Sequence, residues 1–148
     1  MQIKDIMTAD PACCAPDTPL PEVARLMVDH DCGEIPVVDA QRKPVGVITD
    51  RDITCRTVAE NRNPLELTAR DCMSSPVVTV ASEASVEDCC KTMEDHQVRR
   101  VPVVDEQGSC CGMVAQADVA RRASAQDAAD VVKEVSRPTA APSRSGCC

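Results

Sequence analysis

The sequence predicts an α+β protein made of two copies of one unit, each with the order strand, helix, strand, strand, helix. The first observation is an internal repeat, in which the segment Glu34–Asp39 (EIPVVD) recurs as Arg100–Asp105 (RVPVVD) at an offset of 66 residues. The second is that this offset holds without a gap over about fifty residues, which indicates duplication of a structural unit rather than a chance match. The third is that each copy carries one helical apolar pattern and two short β-branched runs.

The first helix of each copy shows an amphipathic pattern. Apolar side chains recur at helical spacing and predict one buried face, formed by Leu20, Val23, Ala24, Met27 and Val28 in the first copy and by Val86, Cys89, Cys90 and Met93 in the second. Helix starts are predicted at Thr18, before Pro19, and at Ser85, which has Asp88 three residues later.

Two strands and a second helix follow in each copy. The runs Ile35–Val38 and Val45–Thr49 flank a polar turn at residues 39–43, so we expect a hairpin, and Val101–Val104 with Cys111–Ala115 repeats it. The closing helices should begin near Asp50 and Gln116. A copy of about fifty residues buries too little surface alone, so the two copies should pack sheet against sheet.

These patterns divide the chain into five parts. We expect a first repeat at residues 1–58, a connection at 59–68, a second repeat at 69–123 and an extra helix at 124–136. Residues 137–148 have the composition of a linker and are predicted to be a disordered tail.

Composition excludes several classes of function. The chain has 43% apolar and 27% charged residues, no apolar run long enough to span a membrane, and no secretory signal at its start, so we expect a cytoplasmic protein without a membrane partner. The net charge of −8 and the absence of Phe, Tyr and Trp disfavour nucleic acid, because phosphate attraction and base stacking on rings are both missing. No catalytic triad or phosphate-binding Walker loop is present, so we do not expect an enzyme.

The Ile-Pro-Val-Val-Asp segment, the Gly-Val-Ile-Thr-Asp-Arg-Asp-Ile run and the paired repeat together resemble the CBS-domain family, over about residues 1–123. Among its members the chain is similar to small stand-alone bacterial two-repeat proteins with a role in signal transduction or stress response. The resemblance implies a pseudo-twofold pair with two clefts, often assembled further into a homodimer. It also implies an adenosine-containing ligand, such as AMP, ATP or S-adenosylmethionine, with no firmly bound cofactor.

The resemblance places a first cleft on Gly46–Asp52, which matches the family motif of Gly, two apolar residues, Thr or Ser, two variable residues and Asp. Thr49, at the handover from strand to helix, can face a phosphate, and Asp52 offers two acceptor oxygens to ribose hydroxyls. By resemblance, the second repeat completes this cleft with a phosphate clamp and with the stretch from Val77, which includes Thr79, as a wall for adenine. The clamp comprises Val98, Arg99 and Arg100.

The second cleft should use Gly112–Asp118, faced by Cys32, Gly33 and Glu34 of the first repeat. Ala115 lacks the hydroxyl of Thr49, and Glu34 brings a negative charge that would repel a phosphate. Asp118 can still hold a ribose, so this cleft is expected to take a nucleoside-like ligand such as S-adenosylmethionine, or none.

Two other interpretations remain open. Asp52 and Asp118 are also ordinary helix-start residues, and Arg99 with Arg100 are also ordinary surface charges. Most of the eleven cysteines fall at repeat positions that hold small apolar residues, which indicates core packing. The rival hypothesis is a metal-responsive or thiol-redox-responsive stress protein, with Cys32 and His30, or Cys147 and Cys148, as ligands or disulfide partners. The effector protein downstream is not indicated.

Overall fold

The computed structural model describes residues 1–122 and 124–138. Its helices are α1 (Leu20–Asp29), α2 (Asp50–Arg56), α3 (Ala69–Cys72), α4 (Val86–His96), α5 (Gln116–Arg122) and α6 (Ala125–Val135). Its strands are β1 (Thr8–Ala9), β2 (Glu34–Val38), β3 (Pro44–Thr49), β4 (Val80–Ala81), β5 (Arg100–Val104) and β6 (Cys110–Ala115). Among the described residues no helix is long and apolar enough to cross a membrane.

The chain folds into two compact units. One, which we call the contiguous unit, is Ala12–Val77; the other, the composite unit, joins Met1–Pro11 to the described residues from Val78 onward. Matching elements of the two units lie 66 residues apart: α1 corresponds to α4, β2 to β5, β3 to β6, and α2 to α5. The predicted duplication and mixed α+β architecture are confirmed.

The composite unit contains a four-stranded sheet of order β1-β6-β5-β4. Strand β6 runs antiparallel to both β1 and β5, whereas β4 runs parallel to β5. The core beneath the sheet is wholly aliphatic and sulfur-containing. Its fully buried members include Ile3, Cys89, Met93, Val101, Val103, Val114, Val119 and Val131.

The contiguous unit has the same arrangement, but isolated bridges take the place of two of the strand pairings. The hairpin of β2 and β3 is flanked by single bridges, a parallel one between Cys14 and Val37 and an antiparallel one between Val47 and Ser74. Its core contains Leu20, Val23, Ile35, Val37, Ile48, Ala69 and Cys72. Gly46 allows the close approach to the Ser74 segment, because a Cβ at this position would lie 2.8 Å from the Ser74 carbonyl oxygen.

The two units exchange their entry segments. Residues 1–11, which precede the first helix in sequence, belong to the composite unit, where β1 pairs with β6 and the Ile3 amide donates to the Ala84 carbonyl at 2.9 Å. The segment at the corresponding repeat position, from Thr68 to Ser74, belongs to the contiguous unit. There the Ala69 amide donates to the Thr18 carbonyl at 2.9 Å. A division of the chain by sequence repeat therefore differs from a division by packing.

Most predicted elements are confirmed, with two corrections at the first helix. Pro19 occupies the N-cap position, and the Thr18 hydroxyl instead accepts a hydrogen bond from the Ala15 amide at 2.9 Å, so the predicted start at Thr18 is wrong. Ala24 and Val28 are exposed, so the buried face of α1 is narrower than its pattern indicates. The predicted Ser85 cap and the extra helix, capped by Ser124, are both present. Residues 139–148 of the predicted tail, including Cys147 and Cys148, lie outside the described residues.

Candidate functional site

Thr49 and Asp52 form a closed pair at the junction of β3 and α2. The Asp52 amide donates to the Thr49 hydroxyl at 2.9 Å, and the Thr49 amide donates to Asp52 Oδ2 at 3.1 Å. This reciprocal capping box satisfies two donors that the first turn of a helix leaves without backbone partners. Thr49 is 3% exposed and Asp52 is 2% exposed. The two residues singled out for ribose and phosphate therefore also hold each other.

Arg56, which was not among the residues predicted from the sequence, completes this cluster. Its Nη2 lies 3.9 Å from Asp52 Oδ1, the carboxylate oxygen that the box leaves over. The same guanidinium donates through Nη1 to the carbonyls of Cys72 at 2.7 Å and Met73 at 2.8 Å. The signal was present in the sequence, because Asp and Arg four residues apart lie on one helix face.

Burial dominates the electrostatics of Asp52. Desolvation raises the pKa of this carboxyl above its ordinary value, while the hydrogen bonds from Thr49 and the charge of Arg56 act to lower the pKa. The ionised carboxylate is therefore held by a small number of specific partners rather than by water.

The second repeat keeps half of this arrangement. The Ala115 amide donates to Asp118 Oδ2 at 2.8 Å, but Ala115 has no hydroxyl to accept the return bond. Arg121 Nη2 lies 3.3 Å from Asp118 Oδ1, so the left-over oxygen again faces an arginine. The Asp118 side chain is 16% exposed against 3% for Asp52, which makes the second motif the wetter one.

Strand pairing sets opposite charges beside the two motifs. Glu34 is the register partner of Thr49, and Arg100 is the register partner of Ala115. Arg99 and Arg100 are exposed, and with Ala115, Gln116 and Ala117 they line a depression of about 170 Å³ in the composite unit. Each motif thus has a charged neighbour within its own unit, acidic in the first repeat and basic in the second.

The remaining predicted site residues divide between the units. Gly33 lies in the contiguous unit, where its carbonyl accepts from the Asp50 amide at 3.0 Å, and Val77 ends that unit. Val98 and Thr79 belong to the composite unit, where Val98 packs against the core and both side chains are half-buried. Thr49, Asp52 and Gly33 are thus brought together in one unit, and Arg99, Arg100 and Asp118 in the other.

The cysteines of the described residues are thiols, and most are packed in the cores. Burial raises the pKa of the Cys14 and Cys89 thiols to about 12 and that of the Cys90 thiol to about 11. Cys13 is half-buried, with the Arg42 guanidinium 4.0 Å from its sulfur. Within residues 1–122 and 124–138 no group of three or more His, Cys, Asp or Glu side chains is placed to hold a metal ion.

The repeated fold and the paired motifs define a protein with two CBS repeats. The family model for the CBS domain matches residues 3–56 and 69–125, so the chain belongs to the CBS-domain family. It is 34% identical to hypoxic response protein 1 of Mycobacterium tuberculosis, over 93% of this chain and 95% of that one. It is 36% identical to an uncharacterized protein of Methanopyrus kandleri, over 78% of this chain but only 57% of the relative.

Solved structures of related proteins carry different ligands. The chain resembles hypoxic response protein I with two coordinated zinc ions, at 34% identity and a TM-score of 0.76, over 82% of this chain and 98% of that one. A CBS domain pair in complex with 5′-methylthioadenosine and S-adenosyl-L-methionine matches at 28% identity and a TM-score of 0.73, over 82% and 94% of the two chains. CBSX2 of Arabidopsis thaliana in complex with AMP matches at 25% identity and a TM-score of 0.71, over 82% of this chain and 95% of that one.

Proposed function

We propose that this chain is a non-catalytic regulatory module that senses an adenosine-containing nucleotide. The observation that carries the proposal is the Thr49–Asp52 pair, a hydroxyl and a carboxylate fixed together at the end of β3. Related CBS pairs that hold AMP, S-adenosyl-L-methionine or 5′-methylthioadenosine support this ligand class. CBS pairs are in general regulatory domains, which supports a role without catalysis.

In this proposal Asp52 binds the ribose hydroxyls through Oδ1, because Oδ2 already accepts the Thr49 amide. Arg56, 3.9 Å from Oδ1, fixes the orientation of the carboxylate. Arg99 and Arg100 supply the phosphate clamp, which suits exposed guanidinium groups, and Val98, Val77 and Thr79 supply the wall for adenine. Binding energy that differs between two conformations then shifts their populations.

The second motif is proposed to take a ligand without phosphate, such as S-adenosylmethionine. Asp118 supplies the ribose acceptor, Gly33 is assigned to the same ligand by the family resemblance, and Ala115 offers no hydroxyl. Arg100, the strand partner of Ala115, lies close to this motif within its own unit, and a phosphate preference of the second motif would contradict the assignment.

The experiment is a thermal-unfolding titration of the full chain with AMP, ATP and S-adenosylmethionine. Binding to the native state adds RT ln(1 + [L]/Kd) to the free energy of unfolding, and tight binding therefore raises the midpoint temperature. Arg100→Gln should abolish the shift with AMP while the unliganded midpoint stays unchanged, because Arg100 is exposed. Arg25→Gln, an exposed arginine on α1, is the matched control. No shift with any of the three ligands would reject the proposal.

A metal-responsive function is the second candidate, favoured by the two zinc ions of hypoxic response protein I. The described part of this chain does not fit a self-contained zinc site, since its acidic, histidine and cysteine side chains form no group of three. Elemental analysis of the protein purified with and without reductant decides the matter: stoichiometric zinc with no response to nucleotides would establish this candidate instead.

We further propose a homodimeric, cytoplasmic protein that acts in a stress response. The family resemblance and the name of the mycobacterial relative support these assignments. Light scattering of the purified full chain gives the mass of the particle, and a monomer at micromolar concentration would contradict the dimer.

A further inference from the structure

Helix α6 covers one repeat and has no helical counterpart on the other. It packs against α4 and α5, where Val131 is fully buried and Val135 is 6% exposed. The stretch 66 residues earlier forms only two 3-10 turns, Val58–Glu60 and Pro64–Glu66, of which the second contacts α1.

Because α6 packs on α4, residues of α4 are less exposed than the residues at the same repeat positions on α1. Cys90 on α4 is 4% exposed, whereas Ala24, at the same repeat position on α1, is exposed. Glu94 is half-buried, whereas its match Val28 is 69% exposed. The face of α1 that corresponds to the covered face of α4 is therefore exposed on the first repeat.

Negatively charged carboxylates lie on both helices at the contact between α4 and α6. Glu87 and Glu94 lie on the stripe of α4 that contains Cys90, because positions i, i+3 and i+7 share one helix face. Asp127, Asp130 and Glu134 follow the same spacing on α6, next to Val131.

These groups act on each other. Partial burial raises the pKa of Glu94, and the carboxylates of Asp130, Glu134, Asp95 and Asp127 raise the pKa further. Burial raises the pKa of Cys90 as well, followed by the charges of Asp127, Glu94 and Glu87.

Basic side chains offset little of this charge. Arg137 bonds Glu134 at 2.7 Å, and the Gln126 amide donates to Asp130 at 2.9 Å. The arginines of α5 are directed elsewhere, Arg121 to Asp118 and Arg122 to the Asp5 carbonyl. Lys91 of α4, Lys133 of α6 and His96 at the end of α4 are exposed.

We propose that α6 is a releasable cover on α4, held by Val131 and Val135 against repulsion between the carboxylates of the two helices, and tightened by screening or protonation of those carboxylates. Release exposes on the second repeat the face that the first repeat leaves open. This device stands on the packing of α6 and does not depend on nucleotide binding.

The dependence on pH follows from the direction of the Glu94 shift. A carboxyl whose pKa is higher when α6 is docked binds more protons in the docked state. Docking therefore strengthens as the pH falls through that raised value and weakens as the pH returns to neutral.

The test uses the alkylation rate of Cys90 in the full chain, read by tandem mass spectrometry so that Cys89 and Cys90 are resolved. The charge variant and the salt series are read by amide hydrogen exchange of α6, because the Glu94 carboxylate also raises the pKa of Cys90 and would change its alkylation directly. At constant pH, Glu94→Gln should slow the exchange of α6 about twofold, the size expected for loss of one like-charge contact. Added salt should slow the exchange in the wild type more than in Glu94→Gln, because ions screen the repulsion. Asp29→Asn, an exposed carboxylate at the end of α1, is the control and should have no effect.

Val131→Asp should release the cover and speed alkylation of Cys90 at least about tenfold, because a buried valine becomes a charge. Val135→Ala is the milder variant if the first one unfolds. A cysteine at position 24, made by Ala24→Cys, reports the rate of an uncovered thiol at the matching position. Equal exchange rates of α6 in the wild type and Glu94→Gln, equal alkylation rates in the wild type and Val135→Ala, or faster exchange at high salt would each overturn the proposal.

Discussion

Thr49 and Asp52 are joined by two hydrogen bonds, in which each backbone amide donates to the other residue's side chain, at 2.9 Å and 3.1 Å. Ala115 and Asp118, 66 residues later, share only one of these bonds. The duplication thus contains a natural comparison between a complete and an incomplete capping box, and it allows the box to be removed from one repeat and built in the other.

Thr49→Ala should lower the free energy of unfolding by about 1 kcal/mol, the usual cost of losing an N-cap side chain. Ala115→Thr should raise it by a similar amount, because the new hydroxyl can accept the Asp118 amide. Urea unfolding of both variants measures the two changes in the free energy of unfolding. If Ala115→Thr destabilises the chain, the two helix starts differ in more than the missing hydroxyl.

Gly46→Ala should cost about 1–3 kcal/mol, since the new Cβ would meet the Ser74 carbonyl oxygen at 2.8 Å and backbone must move. Gly33→Ala is the control, because its Cβ would meet Asp50 Oδ2 at 3.3 Å, at the end of a side chain that can turn away. Thermal unfolding of the two variants should show a clear loss for the first and a small one for the second. Equal losses would contradict this account of the bridge between Val47 and Ser74.

Asp52→Asn should change the dependence of stability on pH. The folded state raises the pKa of Asp52, so it binds more protons than the unfolded state, and this group's contribution becomes more favourable as the pH falls through that raised value. The asparagine variant lacks this term, so its stability should gain less between neutral pH and about pH 5, near the ordinary carboxyl range. The measurement is urea unfolding at several pH values, and parallel curves for variant and wild type would refute the shift.

Cys89→Val should be tolerated at a cost below about 1.5 kcal/mol, because Val23 occupies the matching, fully buried position of the first repeat. Cys89→Ser should cost more, about 1–3 kcal/mol, since it places a hydroxyl in an aliphatic core. The two midpoints of chemical unfolding decide the order. A more stable serine variant would indicate a polar partner for this position.

Periodicity and the repeat predicted the fold well because both repeats carry the same signals at the same places. The Glu34–Thr49 hairpin and its copy follow from β-branched runs around a polar turn, and α6 lies within the extra helix predicted at residues 124–136. Asp52 was considered as a helix-start residue as well as a ligand residue, but its reciprocal bonds with Thr49 were not predicted, although the Thr-to-Asp spacing indicates them.

Other features depend on what packs against a residue, which local sequence does not encode. Ala24 and Val28 match a buried apolar stripe, yet both are exposed, while the matching Cys90 is buried beneath α6. Arg56 was missed because it donates to the carbonyls of Cys72 and Met73. These two residues belong to the second repeat by sequence but to the contiguous unit by packing.

The exchange of entry segments also orders events during synthesis on the ribosome. Residues 12–77 are synthesised as one uninterrupted stretch and include every strand and helix of the contiguous unit, so the whole sequence of this unit exists before residue 78 is added. Residues 1–11 are synthesised first, but their partners β6 and α4 are among the later elements, so the amino-terminal segment has no pairing partner until the second repeat has been made. A nascent chain halted at residue 77 would therefore contain all the elements of one unit but only the entry segment of the other.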